Sequence, residues 1–267
     1  MMSEIYYARF IIAAIGLTIS SWQDWRSREI NDLIWVFMVA SGIPLFIYEA
    51  YVKGFGLWIM LSATSILFSI LTGLTLYKLD FFGGADAKAL ISLSILIPVM
   101  PEELSIKLNT HPITSISIFN NSILLSTIPA IYLLLRNTCR VAMGENIFTG
   151  LEGESVFKKI LAMMTGYKIR LSELKGKKFL YPMEEVKVED GIVKRRLSIR
   201  VGASLSEEKL EDIVKLYDNG ILEGDVWVTP ALPLIIFIAI GTLITFTYGD
   251  IVMKFMHIIG GMRLGSR

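Results

Sequence analysis

Two aspartates stand where few charges belong. Asp24 follows the first strongly apolar stretch in "SSWQDWRSREIND", and Asp86 opens a later one in "FFGGADAKAL". A carboxyl at membrane depth is costly unless it is hydrated, paired, protonated or put to use, so each is a candidate for function. Two carboxyls brought within a few ångströms do not both ionise readily, and they share a proton. The ionised member then accepts a proton from water while the protonated member polarises a carbonyl, the two roles that peptide hydrolysis needs. Taken singly, each aspartate has a plainer reading. Asp86 is placed to cap the helix that continues "AKALISL", and Asp24 to pair with Arg26 or Arg28. Competing chemistry is scarce. His111 falls in a short outer loop and His257 beyond the last apolar stretch, and no serine or cysteine nucleophile sits in a recognisable motif. No histidine–carboxylate cluster has ligand-like spacing, so neither metal nor cofactor is expected.

The elements that must position this pair are membrane spans. The chain has 267 residues, 53% of them apolar, and several apolar runs of about 20 residues, the length that crosses ~30 Å of hydrocarbon as a helix. Candidate spans lie near 5–22, 33–51, 57–77, 87–100, 116–135 and 231–248. The fourth is short before Pro98 and Pro101, which implies a thinned or partly re-entrant helix buried by its neighbours. The first stretch lacks the basic start and small-residue cleavage site of a signal peptide and reads as a retained span. Arg26, Arg28, Lys78 and Lys88 lie in the first and third loops, against Lys53 and Lys107 in the second and fourth. That bias places the odd-numbered loops, and with them both aspartates, on the cytoplasmic side. A net charge of +1 points away from nucleic acid and from acidic partners, and a single cysteine, Cys139, excludes an internal disulfide and a cysteine zinc cluster.

Most charged residues fall between the fifth and sixth spans. There "EVKVEDGIVKRRLSIRV" reads as a hairpin turning at Asp190-Gly191. "SLSEEKLEDIVKLYDNG" reads as a helix, with Ser206 as N-cap, Glu207 and Glu208 in the first turn and Asn219-Gly220 ending it. Val156, Phe157, Ile160, Leu161 and Met164 share one helical face. The fold expected is an α-helical polytopic membrane protein of about six transmembrane helices. A small α+β soluble domain is inserted before the last of them: spans one to five in 1–137, the cytoplasmic domain in 138–229, and the last span with a tail in 230–267. Lys194-Arg195-Arg196 reads as a solvated face, with lipid headgroups as the alternative partner. Gly83-Gly84 is expected to let the backbone approach a substrate closely and reach positive φ, with an ordinary loop-to-helix turn as the plain alternative.

Gly83–Asp86, "GGAD", resembles the Gly-x-Gly-Asp motif of intramembrane aspartic proteases. The stretch Asp24-x-Arg26-x-Arg28-x-Ile30-Asn31 resembles the first-aspartate segment of type IV prepilin peptidases. The missing four-cysteine zinc motif sets the chain apart from the large bacterial members, which also methylate the new N-terminus. The six spans with a soluble insert before the last are most similar to the archaeal preflagellin peptidases. Ala85 departs from the motif's second glycine and removes backbone freedom there. The resemblance implies a membrane endopeptidase that removes short basic leader peptides from preflagellin or prepilin-like precursors near the cytoplasmic face. Asp24 and Asp86 would be catalytic, and Gly83, Gly84 and Ala85 would shape the substrate site. Rival readings are a proton- or ion-coupled transporter using the same aspartates, a membrane anchor presenting the soluble domain, and a presenilin-like protease of other substrates.

Overall fold

The computed structural model describes residues 2–174, 177, 179–189, 192–198 and 203–264. Side chains are described for all of these except 2, 3, 189, 192, 203–209 and 260–264. Two compact units divide the chain: Met1–Ser126 with Pro233–Arg267, and Thr127–Leu232.

The first unit is helical. Its elements are α1 (Met2–Ser27), α2 (Leu33–Lys53), α3 (Leu57–Lys78), α4 (Gly84–Leu96), α5 (Glu102–Leu108) and the start of α6 (Thr114–Ala142). After the second unit come α10 (Leu234–Thr247) and α11 (Ile251–Leu264). The chain is an α-helical polytopic membrane protein. Among the described residues four helices, α1, α2, α3 and α6, are long and apolar enough to span, and α10 with α11 makes a fifth if the bent pair is one span. The fourth expected span is α4, whose 13 residues cover only about 20 Å and fall short of the hydrocarbon core.

That shortness is offset by burial. α4 packs against α3, α2 and α10, and Ala87, Ala89, Leu90, Leu93 and Leu96 are all buried. Two glycines on its neighbours admit it. A Cβ on Gly73 of α3 would stand 3.3 Å from the Ala87 Cα, and one on Gly42 of α2 would stand 3.0 Å from the Leu96 Cα. A short helix walled in by protein leaves no polar backbone end facing lipid.

The last expected span, 231–248, is the helix α10, whose 14 residues are also short of the hydrocarbon core, and α11 follows it across a bend. α10 and α11 are bent by 56° about Gly249, which adopts φ +110. The break is satisfied from α6. The Asn121 side-chain amide donates to Thr245 Oγ1 and Gly249 O, each at 2.9 Å, and Asn121 Oδ1 accepts from the Ile251 amide at 3.0 Å. Asp250 accepts from the Met253 amide, capping α11, and from Asn120 Nδ2, both at 3.0 Å.

The second unit runs from the end of α6 through α7 (Val156–Thr165), β1 (Tyr167–Arg170), α8 (Leu171–Leu174), β2 (Leu180–Pro182), β3 (Glu184–Glu189), β4 (Ile192–Leu197), α9 (Ala203–Asp218) and β5 (Asp225–Pro230). β5 is the centre of an antiparallel sheet of order β1-β5-β2, and β3 pairs with β4 as a separate antiparallel ribbon. Period-two alternation along β5 divides its core residues. Val226 and Val228 join Ile169, Leu180 and Ile213 on one face, while Trp227 stacks on Phe148 on the other at 5.1 Å. The expected hairpin pairing is present, and its turn, Asp190-Gly191, lies outside the described residues. α9 begins at Ala203, so Ser206 lies within the helix and does not cap it. Gly220, at φ +68, ends the turn that follows α9, as expected.

Candidate active site

Asp24 lies in the last turn of α1 and is 8% exposed. The helix ends at Ser27, and Arg28, the next residue, has a positive φ of 59°. Arg28 Nη1 is 3.5 Å from Asp24 Oδ1, so the pairing expected of Asp24 is present and its partner is Arg28. The loop after α1 is held at both ends. Gln23 Oε1 accepts from the Asn31 amide and Asn31 Oδ1 from the Leu33 amide, each at 2.9 Å, which starts α2. Asp32 then pairs with Lys88 Nζ at 2.7 and 2.8 Å. Lys88 is two residues beyond Asp86, so this short loop is tied to both helices that carry the aspartates.

Asp86 is the third residue of α4 and is 7% exposed. Gly83 is the N-cap residue, and Asp86 caps the helix from the N3 position, as the plain reading expected. Its Oδ2 reaches back to accept the Gly83 amide at 2.8 Å, the return half of a capping box. The expectation for the glycine pair needs correcting. Gly83 is extended (φ −72, ψ 163) and Gly84 is the first residue of α4, so neither uses positive φ. What Gly83 supplies is space, since a Cβ there would stand 3.3 Å from Asp86 Oδ2. Ala85, in the first turn of α4, packs on the apolar core, where a helical residue has no need of glycine's freedom.

The structure brings the two carboxyls into one electrostatic neighbourhood. Asp86 interacts with the charges of both Asp24 and Arg28, and Asp24 with Arg28 and the backbone amide of Ile235 at the start of α10. Among the described residues no group of three or more His, Cys, Asp or Glu gathers as a metal would need.

The N-terminal part of the chain, residues 11–131, matches the family model described as the type IV leader peptidase family. Residues 158–251 match the archaeal peptidase A24 C-terminus type II. The preflagellin peptidase of Methanococcus maripaludis is 30% identical over 260 residues, covering 92% of this chain and 97% of that protein. The chain belongs to the type IV leader peptidase family. Two further relatives, preflagellin peptidases of Methanocaldococcus jannaschii and Methanococcus voltae, are 29% and 27% identical over 94% and 92% of this chain. As a leader peptidase family member the protein is a membrane protease.

Within this peptidase, sequence reasoning missed a second buried ionic group. Arg9 Nη2 donates to Glu49 Oε2 at 2.9 Å, Nη1 to the Leu96 carbonyl at the end of α4, and Glu49 also pairs with Lys53 at 2.5 Å. Arg9 lies fifteen residues before Asp24, about 22 Å along α1. The signal was available: Arg9 and Glu49 are ionisable residues within apolar stretches.

Proposed function

We propose that this chain is an aspartic endopeptidase that removes short basic leader peptides from preflagellin or prepilin-like precursors. The cut falls at the cytoplasmic membrane face, and Asp24 and Asp86 activate the water. One observation carries the reading: two carboxyls from separate helices, Asp24 in the last turn of α1 and Asp86 in the first turn of α4, are both buried in a chain of the leader peptidase family.

The ionised carboxyl takes a proton from water as the water oxygen attacks the scissile carbonyl carbon. The protonated carboxyl gives its proton to the carbonyl oxygen. The tetrahedral diol then collapses: one hydroxyl returns its proton to the carboxylate that had given one up, the C–N bond breaks, and the leaving amine takes the proton first abstracted, which restores the pair. Arg28 sits beside Asp24 to hold its orientation, and the space at Gly83 lets the Asp86 carboxylate rest against the backbone. The expected substrate has an apolar helix that stays in the bilayer and a basic leader outside it, so the bond reaching the aspartates lies just before the apolar segment. The names of the preflagellin peptidase relatives and their near full-length alignment support this substrate class.

The test is to incubate purified protein in liposomes with a precursor bearing a basic leader and an apolar segment. The expected result is one defined cut, insensitive to chelator, with a bell-shaped pH profile in single turnover. The profile falls where both carboxyls are ionised and where both are protonated. Absence of the cut, or activity lost in chelator and restored by zinc, overturns the reading.

A further inference from the structure

α7 turns its large apolar side chains away from the unit it belongs to. Val156 is 72% exposed, Phe157 70% and Ile160 45%, with Leu161 and Met164 half-buried beside them. At about 100° per residue these five share an arc of roughly 140°. The packed side of the helix is the other one. Ala162 is buried and Met163 joins it in the cluster around Trp227. Lys158 Nζ is held by Glu154 and the Leu197 carbonyl, and Lys159 Nζ by the Glu152 carbonyl. A helix on a domain surrounded by water has the reverse arrangement, its broad apolar face inward and its lysines out.

What lies against this face follows from α6. Asn137 on that helix is buried and donates to the carbonyls of Met163 and Gly166, at 2.9 and 2.8 Å, which pins the end of α7 to α6. α6 is a membrane-crossing helix of 29 residues, about 43 Å, against ~30 Å of hydrocarbon and ~40–45 Å with headgroups. Asn137 is 23 residues beyond Thr114, about 35 Å along it, so a hydrocarbon layer that begins at the start of the helix ends before Asn137 and leaves it at headgroup depth. The apolar surface of α6 is exposed on both sides of that level, at Ile131, Tyr132 and Leu135 before Asn137 and Val141 after it. The outward arc of α7 thus continues a lipid-facing surface, and it carries no charged residue.

We propose that α7 is an interfacial helix. It lies in the headgroup layer of the bilayer that α6 crosses, with Val156, Phe157 and Ile160 inserted toward the acyl chains. It anchors the strand-containing unit to the membrane plane independently of the spans. Helices of this kind bury an apolar face ~5–10 Å into the boundary between headgroups and chains.

The experiment uses the full chain with Cys139→Ser and single introduced thiols, Val156→Cys, Phe157→Cys or Ile160→Cys, each nitroxide-labelled. The same-unit control is Glu173→Cys. Proteins are reconstituted in phosphatidylcholine–phosphatidylglycerol vesicles, and each label's relaxation is read against dissolved oxygen, which concentrates in lipid, and against a water-soluble nickel chelate. Labels at 156, 157 and 160 are expected to favour oxygen, and the label at 173 nickel. Labels on the arc that match the control place the face in water and overturn the proposal. Labels shielded from both reagents put protein, such as a second copy, over the face and overturn it as well. Because the substituted positions are exposed and three are read independently, a single misfolded variant does not decide the outcome.

Discussion

Glu184 and the aspartate pair are buried carboxyls in different settings. Glu184 in the strand-containing unit is fully buried. Its Oε1 accepts from the Trp227 amide at 2.7 Å and Arg195 Nη2 at 3.0 Å, and its Oε2 from Arg195 Nε at 2.7 Å. Arg195 also holds the Asp225 carbonyl at 2.6 Å, so one ion pair ties β3, β4 and β5 together. Asp86 accepts one hydrogen bond, from Gly83, and Asp24 has an ion pair with Arg28 at 3.5 Å and a hydrogen bond from the backbone amide of Ile235. The contrast separates structure from chemistry. A carboxylate whose lone pairs are taken serves the fold, while one with acceptor positions left over remains available to water and a substrate carbonyl.

The largest expected effect tests the second class. Asp24→Asn and Asp86→Asn each keep the side chain's shape and lose its proton cycle. Precursor cleavage should fall roughly 10²–10⁴-fold or more, with thermal unfolding shifted by less than about 1 kcal/mol. An Asp86→Asn protein that unfolds, or one that still cleaves, moves Asp86 into the class of Glu184. The converse experiment is Glu184→Ala, which leaves the half-buried Arg195 without its carboxylate partner. A loss of about 3–5 kcal/mol is expected in denaturant unfolding of the strand-containing unit. Combining Glu184→Leu with Arg195→Met should restore most of it, because a well-packed apolar pair replaces a buried ion pair at little net cost.

Gly83→Ala sharpens the comparison at smaller scale. Alanine tolerates the extended conformation at this position, so folding should be nearly unchanged. Its Cβ crowds Asp86 Oδ2 at 3.3 Å, and cleavage should drop about tenfold through misplacement of the carboxylate, seen in kcat more than in KM. The smallest effect is a pH slope in the strand-containing unit. Burial pushes the Glu154 carboxyl up, but hydrogen bonds from Lys158 and the Leu197 amide outweigh it and hold the group below its ordinary value. The folded state therefore binds this proton less tightly than the unfolded chain. The contribution is complete above ~4.3 and is lost as pH falls through the folded value. Melting curves taken downward from about pH 6 should show the loss, and Glu154→Gln should remove that part of the slope.

Hydropathy and charge spacing, read along the chain, determined the membrane class, the positions of most helices, the charged insert and the two aspartates. These are local properties: an apolar run must leave water wherever it lies, and a carboxyl within one is conspicuous without knowing its neighbours. The strand alternation around β3 and β4 was legible for the same reason. The tertiary structure decided what depends on partners. It made the fourth span a short buried helix, because Gly42 and Gly73 on two other helices let it approach. It gave Gly83 a steric role where the sequence suggested a conformational one, since the contact it relieves is with a side chain three residues on. Arg195 looked like part of a solvated basic run, yet the strand register, which pairs it with Val186, leaves it diagonal to Glu184 on the same face and within reach of it. Arg9 and Glu49, forty residues apart, are a pair only once α1 and α2 are side by side. Periodicity reports which residues share a face. Which way that face points, as α7 shows, is settled by what the rest of the chain packs against its other side.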